Sequence, residues 1–189
     1  MSHLKKSKNL ALDLSDKFLK IRLLNPKSFE GLIAYTKSLL AEKGLKSLNI
    51  KIHPYSNKVS SYVYGYFSSP ESEICYGKRL LNETSEEVID TVAHEVEHAY
   101  QYALIGRLGK GNTSYENEAL KKLGEIPKEK RAEAIDYAIA KERYQQFSKI
   151  GNAEYHNNLL EIRAADAGKD AAMEYKENVD NYNFFKNFE

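Results

Sequence analysis

Two histidines four residues apart, with a glutamate beside the first, form the stretch of this chain whose spacing is best suited to chemistry. Residues 94–98 read His-Glu-Val-Glu-His, an H-E-x-x-H pattern. On a helix, residues four apart lie on one face about one turn apart, so His94 and His98 can bind one metal ion. Glu95 projects beside them, where it can take a proton from a metal-bound water. The pattern alone is weak evidence, because short motifs also occur by chance.

The periodicity around the motif favours this geometry. Taking about 100° per residue and setting His94 at zero, His98 falls near 40° and Glu95 near 100°. The helix is therefore predicted to bury the opposite side in a core and to turn the motif toward a cleft. The alternative, two ordinary histidines on a surface helix, is the weaker interpretation. The apolar residues between about 140° and 220° are Ile89, Val92, Val96, Ala99 and Ala103.

Length and composition predict one domain without a nucleic-acid or membrane partner. The chain has 189 residues, with 28 basic and 27 acidic side chains and a net charge of +1, so no basic surface indicates nucleic acid. No apolar run is long enough to cross a bilayer. The lone Cys75 argues against a disulfide framework and a cysteine-based zinc site. Because residues 1–9 lack an apolar core, we expect a cytoplasmic protein by default, with delivery as a secreted effector as the alternative.

The part of the chain before the motif predicts helices followed by a small sheet. Residues 1–45 have helical periodicity and predict packing helices. From Ser47 the period changes to two, which predicts strands over 48–52, 59–67 and 73–81. A short turn joins the last two, so we expect an antiparallel hairpin. Strand 73–81 is interpreted as an edge strand that could bind an extended peptide through its backbone; a purely structural sheet is the alternative.

The metal helix has a clear predicted start. Thr84 is a suitable N-cap, with Glu87 three residues later completing a capping box, and the helix is expected to run to about Leu108. The sheet and the metal helix thus occupy residues 47–108. The charged, alanine-rich segment 113–150 is interpreted as a helical insertion, either a lid or specificity element or a solvated scaffold.

A later helix, predicted over 153–178, carries the best candidate for a third metal ligand, Glu161. Small side chains surround Glu161 on its helical face, and they allow two helices to approach closely. A buried glutamate without a partner is costly, which favours the ligand role over a solvent-facing residue. Glu118 and His156 are weaker candidates, whereas the remaining histidines, His3 and His53, have no supporting spacing. The small residues are Ala164, Ala165, Gly168 and Ala172.

These residues resemble a known family. Residues 86–101, with their H-E-x-x-H-A-x-Q core, are similar to the zinc helix of gluzincin-type metallopeptidases. Residues 161–168 resemble the E-I-x-A-x-x-x-G segment that supplies the glutamate ligand in that family. The likeness is closest to small bacterial and phage-borne metallopeptidase domains, some of which are the toxic ends of polymorphic toxins. It covers roughly 47–108 and 153–175, about half of the chain.

The resemblance implies a fold, a cofactor and a reaction. The expected fold is α+β and zincin-like: a small, mostly antiparallel sheet packed on the metal helix, with a helical C-terminal half, in one domain over 1–189. One Zn²⁺ per chain would be held by His94, His98 and Glu161, and Glu95 would be the general base in peptide-bond hydrolysis. The implied partners are a protein or peptide substrate and, for a toxin or mobile-element effector domain, a cognate inhibitor or immunity protein.

Some features depart from the family or leave alternatives open. Thermolysin-type gluzincins have an Asp four residues after the third ligand, where this chain has Ala165, so the partner that orients the histidines is unassigned. Tyr102 and Tyr175 are the candidates for stabilising the transition state. Two other functions remain: a zinc-containing binding or regulatory module without turnover, and a metal hydrolase acting on a non-peptide bond. An accidental motif in a structural protein is the third alternative.

Overall fold

The fold is α+β and mostly helical. The computed structural model describes residues 25–147 and 157–186; the part of the predicted packing helices that precedes residue 25 lies outside them. The described residues form five α-helices and one three-stranded mixed sheet. None of the described helices is both long and apolar enough to span a membrane. In chain order, the elements are α1 (Phe29–Glu42), β1 (Lys51–Ser56), β2 (Gly65–Ser68), β3 (Glu73–Gly77), α2 (Ser85–Ile105), α3 (Ser114–Leu123), α4 (Arg131–Phe147) and α5 (Leu159–Lys186).

The sheet has the strand order β1-β3-β2, which corrects two predictions. The predicted hairpin is present, since β2 pairs antiparallel with β3. However, β1 pairs with β3 in parallel, so the sheet is mixed rather than mostly antiparallel. β3 is also the central strand, so the expectation that 73–81 forms an edge strand is wrong. The reason is topological: β3 enters between the two earlier strands, and local alternation of side chains cannot reveal that order.

Strands β2 and β3 are shorter than the sequence pattern predicted, and β1 is shifted along the chain. Residues 57–64 form a loop, although 59–67 has the aromatic and β-branched composition of a strand. β1 begins at Lys51, three residues later than predicted, and β3 ends at Gly77. A 3₁₀ turn over Lys78–Asn82 then leads to the metal helix. The loop therefore replaces much of the predicted second strand.

Helix α2, the predicted metal helix, has the expected start and the expected buried face. The Thr84 side chain accepts a hydrogen bond from the Glu87 N–H, as an N-cap does. The helix ends at Ile105, and a π-helical turn follows over Gly106–Lys110. Its apolar stripe packs against α1 and the sheet, which turns the histidine face toward α5. The predicted stripe residues Ile89, Val92, Val96, Ala99 and Ala103 are all buried.

The described part of segment 113–150 packs against the metal helix. Tyr115 and Ala119 are fully buried in the main core, and the Tyr115 hydroxyl donates a 2.9 Å hydrogen bond to the Ala99 carbonyl. In α4, the buried Lys141 ammonium pairs with the buried Glu116 carboxylate. The described part of the segment is therefore packed onto the metal helix through Tyr115 and Ala119, and the Lys141–Glu116 ion pair joins its two helices.

Helices α2 and α5 approach each other closely at a glycine. The Gly168 Cα lies against Asp90 of α2: a Cβ at this position would overlap Asp90 Oδ1 and lie 2.9 Å from the Asp90 carbonyl oxygen. Ala164, one turn earlier, is fully buried. The small-residue face predicted around Glu161 is therefore the surface through which α5 meets the metal helix.

We expect Gly168→Ala to destabilise the protein. Gly→Ala inside an unobstructed helix commonly stabilises it by about 0.5–1 kcal/mol. Here the added methyl group has no room beside Asp90, so we expect a loss of about 1–3 kcal/mol in the free energy of unfolding. Urea denaturation with excess chelator measures this loss without any contribution from bound metal. The exposed Asp170 supplies the control, since Asp170→Ala should change stability by less than about 0.5 kcal/mol. A stabilised Gly168→Ala variant would contradict the close approach.

Candidate metal centre

The two motif histidines present their ring nitrogens to the same point. They lie one turn apart on α2, and the Nε2 atoms of His94 and His98 are 3.1 Å apart. The rings are nearly perpendicular, with an interplanar angle of 83° and 4.8 Å between centroids. The side chains remain 25% and 13% exposed, respectively. A ligand can therefore reach both nitrogens from the cleft.

Glu161 of α5 supplies a carboxylate at the third corner. Its Oε2 lies 3.5 Å from His94 Nε2, and its Oε1 lies 3.5 Å from His98 Nε2. In a tetrahedral zinc site with bonds of about 2.0–2.1 Å, ligand atoms are separated by roughly 3.4 Å. The observed separations of 3.1 and 3.5 Å bracket that value. The residues present thus fit a zinc ion of the His₂Glu type, and the convergence expected of Glu161 is observed.

Gln101 orients His98, a role that the sequence analysis left unassigned. The fully buried Gln101 amide donates a 3.0 Å hydrogen bond to the Leu160 carbonyl, which leaves its Oε1 facing the imidazole. His98 Nδ1 lies 3.1 Å from that oxygen and must donate to it. The neutral ring then has its lone pair on Nε2, directed toward the centre. Gln101 also links α2 to the residue immediately before Glu161.

Glu95 is buried next to the histidines. Burial raises the pKa of its carboxyl group above the usual range, and the nearby His98 and His94 only partly offset this effect. The Phe67 N–H of β2 donates a hydrogen bond to the Glu95 carboxylate. A carboxylate with a raised pKa can hold a proton near neutral pH and release it again. Its position on α2 and its environment both suit a general base.

The acidic side chains favour the protonated form of His98. Burial disfavours the imidazolium form of His98, but its hydrogen bond to Glu161 and the charges of Glu95 and Glu161 outweigh this, so the pKa of His98 is raised. Two carboxylates therefore make the centre attractive to positive charge. Burial likewise raises the pKa of Asp90, and His94 and Lys169 oppose that shift.

The centre opens into a cleft. A cavity of about 150 Å³ is lined by His94, Glu95, His98 and Glu161, and also by β2 and Tyr102. It adjoins an open cleft of about 600 Å³, one wall of which is formed by residues 62–65. The Tyr102 ring packs edge-on against Phe67, with centroids 5.8 Å apart, and the Lys141 ammonium lies 5.2 Å from its centroid. Tyr102 is thus held at the edge of the centre.

The other sequence candidates lie elsewhere. Tyr175 follows Glu161 by 14 residues (175 − 161) in one continuous helix, which separates them by about 21 Å along the axis. The structure does not bring Tyr175 to the centre, so Tyr102 remains as the candidate stabiliser. Glu118 instead accepts a hydrogen bond from the Asn49 N–H and pairs with Lys122. His156 lies outside the described residues.

Comparison of the chain with protein-family models, with curated proteins and with solved structures gave no match. The resemblance to gluzincins therefore depends on the two motifs, and the chemistry of the centre is inferred from its geometry. Sequence reasoning found the three converging side chains but missed the function of Gln101. Its position three residues after His98 was the available indication, since residues three apart are neighbours on one helical face.

We expect Gln101→Leu to weaken zinc binding by roughly 10- to 100-fold, because a partner that fixes a metal-binding histidine contributes about that much to affinity. Competition with a chelator of known affinity measures the dissociation constant. Thr36→Val is a matched control: Thr36 is also fully buried and hydrogen-bonded, but its partners are the Leu32 carbonyl and the Tyr76 hydroxyl in the core. Equal zinc affinity in wild type and Gln101→Leu would remove Gln101 from the centre.

Proposed function

We propose that the protein is a zinc-dependent peptidase. The observation that carries the proposal is the convergence of His94, His98 and Glu161 at separations suited to zinc, with the buried Glu95 carboxylate beside them. Three protein ligands leave a fourth coordination position open, which is characteristic of catalytic rather than structural zinc. A zinc ion at this centre would polarise a substrate carbonyl and make a nearby water more acidic.

Glu95 has the properties that proton transfer requires. Its carboxylate is anchored by the Phe67 N–H, and burial raises its pKa. It would accept a proton from the attacking water and then give that proton to the leaving amine. A site that only binds metal needs no such base, so Glu95 favours turnover over a purely regulatory module. Tyr102, held beside the centre by Phe67 and Lys141, is the candidate donor to the developing oxyanion.

The edge strand beside the centre is β2, not residues 73–81, and it suits an extended peptide. The Gly77 N–H donates to the Tyr64 carbonyl, so the alternation of an antiparallel pair directs the backbone groups of Gly65 and Phe67 away from β3. The Phe67 N–H already binds Glu95, and Gly65 lines the open cleft. A substrate chain paired with this edge would therefore pass directly in front of the metal ligands.

We expect Glu95→Gln to retain zinc and lose activity by roughly 10²- to 10⁴-fold. The amide cannot accept the proton from water, whereas all three proposed ligands remain in place. The assay needs no chosen substrate, because it compares the new protein N-termini that wild type and the variant generate in a proteome. Quantitative metal analysis of the same preparations shows whether zinc is retained.

Three outcomes would count against the peptidase proposal. New N-termini at equal rates in wild type and Glu95→Gln would exclude Glu95 as the base. Zinc bound at the His₂Glu centre with no cleavage by wild type would favour the binding module. Cleavage of an ester or another non-peptide bond, with no proteolysis, would favour the alternative hydrolase.

Glu161→Ala should weaken zinc binding by at least about 100-fold and abolish activity. The reason is the loss of the third protein ligand, which should cost at least as much as the loss of a supporting residue. Glu118→Ala is the matched control, because Glu118 is a glutamate on a neighbouring helix whose partners are Asn49 and Lys122. Unchanged zinc affinity in Glu161→Ala would sink the His₂Glu assignment even if the protein proved to be an enzyme.

A further inference from the structure

A second group of metal-ligating side chains lies on the other face of the sheet. The imidazole of His53, the carboxylate of Glu73 and the thiol of Cys75 each offer a ligand atom, and these atoms all lie within 4.8 Å of one another. Glu73 and Cys75 alternate along β3 with Ile74 and Tyr76, which belong to the hydrophobic core. The group therefore faces away from the metal helix and shares no residue with the first centre.

The strand register brings these residues together. His53 is the parallel partner of Cys75, and Tyr66 is the antiparallel partner of the same residue. Glu73 lies two residues before Cys75, so both point to the same face. The Tyr66 hydroxyl hydrogen-bonds to the Cys75 sulfur and lies 3.4 Å from Glu73 Oε1. Three adjacent strands thus contribute to one polar cluster.

The hydrogen bonding of the cluster is incomplete. His53 Nε2 is buried and has no hydrogen-bonding partner among the described residues, although it lies 3.1 Å from Glu73 Oε2. An unsatisfied buried nitrogen is costly. The Lys58 ammonium sits 3.1 and 3.0 Å from the two Glu73 oxygens. A cation therefore already occupies the position from which a metal ion would bind this carboxylate.

We propose that His53, Glu73 and Cys75 form a second metal site, for a thiophilic divalent cation such as Zn²⁺. One thiolate, one imidazole and one carboxylate are a suitable zinc set, and water can complete the tetrahedron. On binding, Cys75 releases its proton to solvent, and the ion's two positive charges balance the thiolate and the carboxylate. Lys58 remains protonated and moves into water. A mixed site of this kind needs only one cysteine, unlike the multi-cysteine sites that the composition argues against.

The path by which a metal could enter is the loop that carries Lys58. The Lys58 side chain is 57% exposed and His53 is 37% exposed, whereas Cys75 is fully buried beneath them. Displacing Lys58 would expose the carboxylate and the thiol together. The ligand atoms must also draw in from at most 4.8 Å to roughly 3.4–3.6 Å, the separation in a tetrahedral site. Because Lys58 is on a loop and His53 on an edge strand, both can move without repacking the core.

Cobalt titration of the metal-free, full-length protein tests the second site independently of the first. Co²⁺ bound to a thiolate gives a sulfur-to-metal charge-transfer band in the near ultraviolet, which a His₂Glu centre cannot produce. We expect wild type to show this band, and Glu161→Ala to keep it. We expect Cys75→Ser to lose the band and to retain one Co²⁺ at the first centre. The result is independent of the proposed peptidase activity, because no substrate is involved.

His53→Gln and Lys58→Met complete the experiment. His53→Gln alters a partly exposed side chain, so it tests the site even if Cys75→Ser proves hard to fold. It should weaken the Co²⁺ affinity measured from the charge-transfer band by at least about tenfold. Lys58→Met removes the competing ammonium and should strengthen Co²⁺ binding by up to about fivefold. A structural ion pair alone predicts no band in any variant. That result would overturn the second site. So would any one of three others: a band that persists in Cys75→Ser, a band lost in Glu161→Ala, or weaker Co²⁺ binding in Lys58→Met.

Discussion

The close contact between α2 and α5 is the constraint on which the centre depends. A carboxylate on one helix can reach a histidine pair on another only where the two backbones come unusually near. Gly168 and Ala164 allow this approach, and Asp90 of α2 occupies the space that a side chain at 168 would need. Gln101 adds a directional link, because its amide joins His98 to the backbone beside Glu161. Helix packing and this hydrogen bonding therefore both hold Glu161 close to the two histidines.

The electrostatics of the centre complement that geometry. Glu95 and Glu161 are both buried, as the relative exposure of each residue is below a tenth. Two carboxylates so close together are costly unless positive charge is nearby. In the structure the two carboxylates raise the pKa of His98 and burial raises the pKa of Glu95, so a proton on either group would offset this cost. A divalent cation would supply the same compensation while leaving the imidazoles neutral, which is the form that binds metal.

Much of the helical architecture and the three converging side chains could be predicted from the sequence. The apolar stripe of α2 has a period close to the helical repeat, and the small face around Glu161 indicates a close helix contact. The order and the extent of the strands were harder to predict. Alternation predicts strands but not their order, and residues 59–64 have strand-like composition although they form a loop. The contact of Gln101 with Leu160 spans 59 residues, and the cluster around Cys75 depends on the register between strands. Local patterns reveal neither, although the spacing from His98 to Gln101 is itself helical.

Strand β2 connects the two halves of the proposed chemistry. Its pairing with β3 fixes which backbone groups face outward, and these alternate along the strand. At Phe67 the outward N–H holds the Glu95 carboxylate, while at Gly65 the outward groups face the cleft. The same strand therefore positions the proposed base and offers the edge against which a peptide could align. Because both functions come from one short, regular segment, the register of a bound chain relative to Glu95 would be set by β-sheet geometry rather than by flexible side chains.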